Sequence, residues 1–160
     1  MGFLRIATAL FARICLSAMF LASGINKIFY WKEVEKRLLA VLGEWQTHTV
    51  ALESAQAVFN AAVVWLPILL MVGTFLEILG ALLLLFGIQE KLGAFLLAII
   101  LIPTTILLQS FWFSEGLEQE QQLAAFLKNM AILGGLLVVI LHREPEYEYE
   151  NRQIRQVPIE

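Results

Sequence analysis

Cysteine is almost absent from this chain of 160 residues, in which Cys15 is the only one. A single thiol excludes a disulfide framework, a Cys-x-x-Cys redox pair and a thiolate metal site, and we expect Cys15 to be a packing residue. Aspartate is missing altogether, since all 14 acidic residues are glutamate. Histidine occurs only as His48 and His142, in separate regions that predict no metal site. Any redox chemistry therefore needs a group other than a dithiol.

Charged residues of either sign are also few, at 16% of the chain, and the net charge is -3. The basic residues are scattered rather than clustered, which excludes the basic patch that a nucleic-acid-binding surface needs. Hydrophobic residues, in contrast, make up 59% of the sequence, whereas soluble domains contain roughly 45–50%. This composition is typical of a membrane protein.

Four apolar segments are long enough to cross a bilayer, which takes roughly 20 helical residues. They run approximately over residues 6–30, 61–87, 92–113 and 123–141. Between the first two, residues 31–45 place apolar side chains at helical spacing and charged ones on the other faces, which predicts an interfacial amphipathic helix. We therefore predict an all-α integral membrane four-helix bundle within residues 1–141, followed by a solvated, charged tail over residues 142–160.

The distribution of cations predicts the orientation of the bundle. An even number of spans puts both termini on one side of the membrane. The cations on that side are Arg5, Lys91, Arg143, Arg152 and Arg155, against Lys32, Lys36 and Arg37 on the other. Because cytoplasmic loops are enriched in Lys and Arg, both termini are expected in the cytoplasm.

Polar residues inside the spans fall on helix faces that are lined with small residues. The faces are Arg13, Ser17, Phe20, Gly24 and Lys27 on the first span, Gly73, Glu77, Gly80, Leu84 and Gly87 on the second, and Ala124, Lys128, Ala131 and Gly135 on the fourth. Small residues let membrane helices approach closely, and a charge that faces lipid costs about 3 kcal/mol or more. The charges are therefore expected to face the interior of the bundle.

Depth along the helices divides these residues into two groups. Arg13 and Glu77 lie about 12–15 Å from the cytoplasmic ends of their helices, where we expect an ion pair. The second group lies within about 5–9 Å of the opposite ends and predicts a polar mouth for an anionic head or a quinone carbonyl. Its members are Lys27, Gln109 and Lys128, with Asn26, Trp112 and Asn129 beside them.

Structural explanations stay open for several of these residues. Lys27 can extend its ammonium to the membrane surface, and an Arg13–Glu77 pair can serve only to fix the helix register. Gln109 can hydrogen-bond a backbone carbonyl that Pro103 leaves without its helical donor.

The order of these motifs resembles the DoxX family. The matching residues are Arg13 and Phe20, residues 23–27 (SGINK), 77–80 (EILG) with 83–87 (LLLFG), 103–105 (PTT) with Gln109, Phe111 and Trp112, and 126–129 (FLKN) with 133–137 (LGGLL). The resemblance covers all four spans. It implies a small four-helix protein of the bacterial inner membrane with a role in membrane redox chemistry, because the family name comes from a subunit of a thiosulfate:quinone oxidoreductase. Gln109 stands where a histidine is common in the family, and a glutamine cannot titrate.

Two classes of function follow. The first is a quinone-linked membrane subunit of a redox or oxidative-stress complex, in which Glu77 carries protons beside Arg13 and the polar mouth holds the quinone. No metal, haem or flavin site is evident, so electrons would come from a partner protein or from a bound quinone alone. The second class is a membrane scaffold or assembly protein, or a binder of a lipid-like molecule, without catalysis. Both involve the lipid bilayer, and a partner chain or self-association.

Overall fold

The structure is a computed structural model that describes residues 2–141, with side chains described from residue 7 onward. This part of the chain contains no strand. Its five α helices are α1 (Gly2–Phe29), α2 (Trp31–His48), α3 (Glu53–Phe86), α4 (Glu90–Leu108) and α5 (Gly116–Leu141). All but α2 include a stretch long and apolar enough to cross a membrane. The predicted all-α membrane helix bundle is therefore confirmed, whereas the tail predicted over residues 142–160 lies outside the described residues.

Three helices differ in extent from the predicted spans by five residues or more, and one of them is α5, which begins at Gly116 rather than near residue 123. α3 begins at Glu53 rather than near residue 61, because residues 53–60 contain no glycine or proline that would stop a helix. α4 ends at Leu108 rather than near residue 113. A turn follows it, in which the Phe113 N–H donates to the Ser110 carbonyl at 2.9 Å. Hydropathy does not distinguish an apolar helix from an aromatic turn, so the predicted third span was too long.

The membrane helices pack in chain order. α3 packs against both α1 and α4, and α5 packs against α4. All four contribute to one apolar core, in which Phe20 of α1 meets Ala81 and Leu84 of α3, Leu97 of α4 and Leu136 of α5. Successive helices run in opposite directions, so the end of α1 and the beginning of α3 lie towards the same end of the bundle.

The closest approach of two helices is the crossing of α3 and α4 at a pair of glycines. A Cβ atom built on Gly93 would lie 2.7 Å from the carbonyl oxygen of Gly80, and one built on Gly80 would lie 3.0 Å from the carbonyl oxygen of Gly93. Neither backbone oxygen can move aside without bending its helix. The small residues on this face of α3 therefore allow contact between the backbones of two helices, as the sequence predicts.

α2 is fastened to the bundle by an aromatic cluster, which we call the aromatic cap: Trp45, Phe59, Trp112 and Phe113. The centroid of the Trp45 ring lies 5.8 Å from that of Phe59, 5.7 Å from that of Trp112 and 5.0 Å from that of Phe113. Trp45 Nε1 also donates to the carbonyl oxygen of Leu107 at 3.2 Å. That oxygen is in the last turn of α4, where carbonyls have no helical donor. The cap thus joins α2, the start of α3 and the α4–α5 connection.

The predicted amphipathic helix is present as α2, which continues to His48 rather than ending near residue 45. Its apolar side packs on α3, and Leu42 is buried there. That α2 lies along a membrane surface stays a prediction.

The glycine crossing predicts the effect of one added methyl group. We expect Gly93→Ala to lower the free energy of unfolding by about 1–3 kcal/mol, because the new methyl overlaps the Gly80 carbonyl and α4 must shift. Thermal unfolding of the purified protein in detergent measures the loss. Gly134→Ala is the matched control, since nothing lies within 4 Å of a Cβ at Gly134. Equal melting temperatures for the two variants would contradict the close crossing.

Candidate functional site

The predicted polar face of α1 is the face that packs against the rest of the bundle. Ser17, Phe20 and Gly24 are buried on it, and Arg13 and Lys27 at its two ends are partly buried. The matching face of α3 is buried at Glu77, Gly80 and Leu84. On these two helices the spacing of small and polar residues identified the interior face correctly.

Glu77 pairs with Lys27 and not with Arg13, so the predicted Arg13–Glu77 ion pair is wrong. Lys27 Nζ donates to Glu77 Oε2 at 2.5 Å, and Arg13 forms its ion pair with Glu90. The reason is the relative height of the helices. Arg13 lies level with Gly87 at the end of α3, where a Cβ on Gly87 would be 3.0 Å from Arg13 Nη1. Lys27 is about 21 Å further along α1, so one carboxylate cannot reach both cations.

Antiparallel helices explain how Lys27 and Glu77 meet. A Cβ on Gly24 would lie 2.6 Å from Cγ1 of Ile78, so these two residues are at the same height. Side chains on a helix lean towards its N-terminus. Lys27 therefore leans back along α1 while Glu77 leans the opposite way along α3, and the two charged groups converge. The Glu77 side chain is only 5% exposed and that of Lys27 is 21% exposed.

A second polar group connects α4 to α5. Asn129 Nδ2 donates to Thr105 Oγ1 at 3.1 Å and to Gln109 Oε1 at 3.3 Å. Two of the residues predicted for the polar mouth, Gln109 and Asn129, are thus in contact. Among the described side chains, no hydrogen bond or ion pair joins this group to Lys27.

Lys128 does not face the interior, and this prediction is wrong. Its side chain is exposed, whereas the packed side of α5 carries Asn129, Ile132, Leu133 and Leu136. The interior face is thus offset by about one residue from the predicted stripe of Ala124, Lys128, Ala131 and Gly135. Small residues on α5 lie partly on its outer side, so they do not identify the contact face on this helix.

Two further residues of the predicted mouth lie elsewhere. Asn26 is exposed and lines a recess at the elbow between α1 and α2, together with Tyr30, Glu33, Val34 and Arg37. Trp112 belongs to the aromatic cap and is 41% exposed. The residues predicted as one mouth therefore occupy three places: the Lys27–Glu77 pair, the α4–α5 amide group and the exposed surface.

Sequence reasoning missed Glu90, the partner of Arg13. Gly87 ends α3 with a φ of 67°, a left-handed conformation that favours glycine. The chain then turns, and α4 starts at Glu90 beside α1. The sequence does contain a signal for this position of Glu90. A glycine at the end of an apolar span marks a turn, so the next acidic residue lies at the end of the bundle.

Metal ligation has no evident place among these groups. Within residues 7–141, no cluster of three or more His, Cys, Asp or Glu side chains has the proximity to hold a metal ion.

The fold and the site define an all-α, multi-pass membrane protein with a charge pair buried between its first two membrane helices. A sequence model of the DoxX family matches residues 8–113, about two thirds of the chain, and the protein belongs to this family. The matched region contains α2, α3, α4 and most of α1, and stops before α5. The resemblance of the fourth span to the family thus stays a sequence interpretation. No match was found among curated proteins or among solved structures.

The Lys27–Glu77 pair predicts a specific pattern in a double-mutant cycle. Lys27→Met leaves a carboxylate without its partner at a buried site, which costs up to about 3–5 kcal/mol of stability. Glu77→Gln removes the acceptor charge and also destabilises the protein. We expect the double variant to recover part of the loss, because no lone charge remains. Thermal unfolding in detergent measures all three variants.

The second ion pair is the control for this cycle. Arg13 and Glu90 have side chains 30% and 21% exposed, so Arg13→Met and Glu90→Gln should show a smaller coupling energy, since water screens the charges. Additive losses for Lys27→Met and Glu77→Gln would contradict a buried interaction between the two residues.

Proposed function

We propose that this protein is a quinone-linked membrane subunit of a redox complex, with the Lys27–Glu77 pair at the polar head of the quinone. One observation carries the proposal: an ammonium and a carboxylate are in hydrogen-bond contact, at 2.5 Å, inside a bundle of apolar membrane helices. Ionisable residues within membrane spans are costly, and they commonly mark a binding or proton-transfer site.

The chemistry of the two side chains fits a quinone head. A bound quinone supplies a centre that takes up two electrons and two protons at its carbonyl oxygens. Lys27 has three N–H donors, of which one is directed to Glu77, so others remain for a carbonyl oxygen. Glu77 Oε2, which accepts the hydrogen bond from Lys27, is the atom at which a proton can be held and released. Lys27 is the more exposed of the two, so it lies on the side from which a quinone would approach the pair.

The remaining predicted site residues receive separate roles. Gln109 and Asn129 supply amide groups on α4 and α5 that suit a second carbonyl oxygen. Arg13, paired with Glu90 at the other end of α1, positions α1 against the α3–α4 turn and takes no part in proton transfer. Lys128 lies on the exposed side of α5 and is left out of the site.

The electrons come from a partner protein in this proposal. The sequence has one cysteine and therefore no dithiol, and it contains no flavin fingerprint or haem ligand set. We place the protein in the bacterial inner membrane with both termini in the cytoplasm, in keeping with the family and with the distribution of Lys and Arg along the sequence.

Mass spectrometry of the protein after gentle extraction from its native membrane tests the proposal. We expect about one quinone per chain in the wild type, and at least a tenfold loss of quinone in Lys27→Met and Glu77→Gln that remain folded by size-exclusion chromatography. Glu90→Gln is the matched control, because it also removes one carboxylate from an ion pair, and it should retain the quinone. A wild type without quinone, or equal retention by all variants, would overturn the proposal.

A membrane scaffold or assembly protein is the second candidate, and the two ion pairs favour it. Lys27–Glu77 ties α1 to α3, and Arg13–Glu90 ties α1 to the start of α4, as expected if the charges only fix the helix register. In that case a folded Lys27→Met/Glu77→Gln double variant should keep the same co-purified partner chains as the wild type. Loss of function in a double variant that folds and keeps its partners would favour the redox proposal.

A further inference from the structure

The recess at the elbow between α1 and α2 is separate from the Lys27–Glu77 pair. Its lining consists of an amide, a phenol, a carboxylate, an isopropyl group and a guanidinium, from Asn26, Tyr30, Glu33, Val34 and Arg37. All except Val34 are exposed. Within residues 7–141, the polar side chains of this lining make no hydrogen bond and no ion pair. Glu33 and Arg37 stand one turn apart on α2, where opposite charges commonly pair, yet the two side chains are exposed and form no ion pair with each other.

The position of the recess along the chain favours a location near a membrane surface. The first candidate span, Ala7–Phe29, ends where the recess begins. Tyr30 and Trp31 follow at once, and such aromatic residues are enriched at the boundary between membrane and water.

An exposed apolar surface continues from the recess along α1. Ile25 and Phe29 are 49% and 78% exposed, and they lie beside Asn26 and Tyr30 in the last turns of the span that ends at the recess. A ligand with a polar head in the recess therefore has room for apolar chains along α1. This combination fits a phospholipid better than a small water-soluble anion, which has no apolar group that could pack on the exposed apolar surface.

The charges of the lining select among phospholipid heads. The Arg37 guanidinium, with the Asn26 amide and the Tyr30 hydroxyl, offers donors to a phosphate diester. Glu33 would repel a purely anionic head but accepts hydrogen bonds from a primary ammonium group. We infer that the α1–α2 elbow is a binding site for an aminophospholipid, with the phosphate at Arg37 and the amine at Glu33. This site is independent of the quinone proposal.

Lipid retention by the purified full-length protein in native mass spectrometry tests the inference. The probes are palmitoyl-oleoyl lipids with an ethanolamine, choline or glycerol head. We expect the ethanolamine lipid to be retained best by the wild type, because choline has no N–H to donate and the glycerol lipid carries a net negative charge towards Glu33. Arg37→Gln should lower retention of the ethanolamine lipid about tenfold, as expected for a charge-assisted hydrogen bond. Glu33→Gln should abolish the preference over the glycerol lipid while phosphate binding persists.

Matched controls lie on the same two turns of α2. Lys36→Gln and Glu35→Gln remove the same charges from residues that do not line the recess, and both should bind lipid like the wild type. If Arg37→Gln does not fold, Arg37→Lys keeps the charge but loses the planar fork, and it should retain an intermediate amount of lipid. Equal retention of the three lipids by the wild type, a preference for the glycerol lipid, or equal effects of the lining and control variants would overturn the inference.

Discussion

A charged side chain inside an apolar helix needs a partner within the protein, and the packing of α1 follows from this constraint. Lys27 and Arg13 lie on one face of α1 about 21 Å apart, and each finds a carboxylate, Glu77 on α3 and Glu90 at the start of α4. Two fixed points determine both the height and the rotation of α1 against its neighbours. The core around Phe20 and Leu84 then fills the space between the two pairs.

Much of this arrangement can be predicted from single helices, and the errors arise where two helices must be compared. The faces of α1 and α3 follow from the spacing of Arg13, Gly24 and Glu77, because periodicity is a property of one helix. The partner of Glu77 depends on the height of α1 relative to α3. The spacing of residues within one helix gives no information about this relative height. On α5 a stripe of small residues suggested an interior Lys128, but the larger residues near Leu136 form the packed face.

Adjacent residues at the end of α1 face different surroundings. Lys27 turns towards α3 and contacts Glu77, whereas Asn26 turns outward into the elbow recess. A hundred degrees of rotation, about one residue of helix, separates the interior charge of Lys27 from the exposed amide of Asn26. Asn26 and Lys27 are thus neighbours in the sequence but lie in different environments, one exposed and one partly buried. The aromatic cap keeps this end in place through Trp45 and α2.

The length of α3 has a consequence for the shape of the protein in a membrane. With 34 residues, α3 is about 51 Å long, while a bilayer core about 30 Å thick takes up about 32 Å of a helix tilted by about 20°. At the Glu53 end α3 extends beyond α1, because Gly24, near the end of α1, lies level with Ile78 of α3. The first turns of α3 therefore project past the last turn of α1, and they carry Phe59, which packs against Trp45 in the aromatic cap.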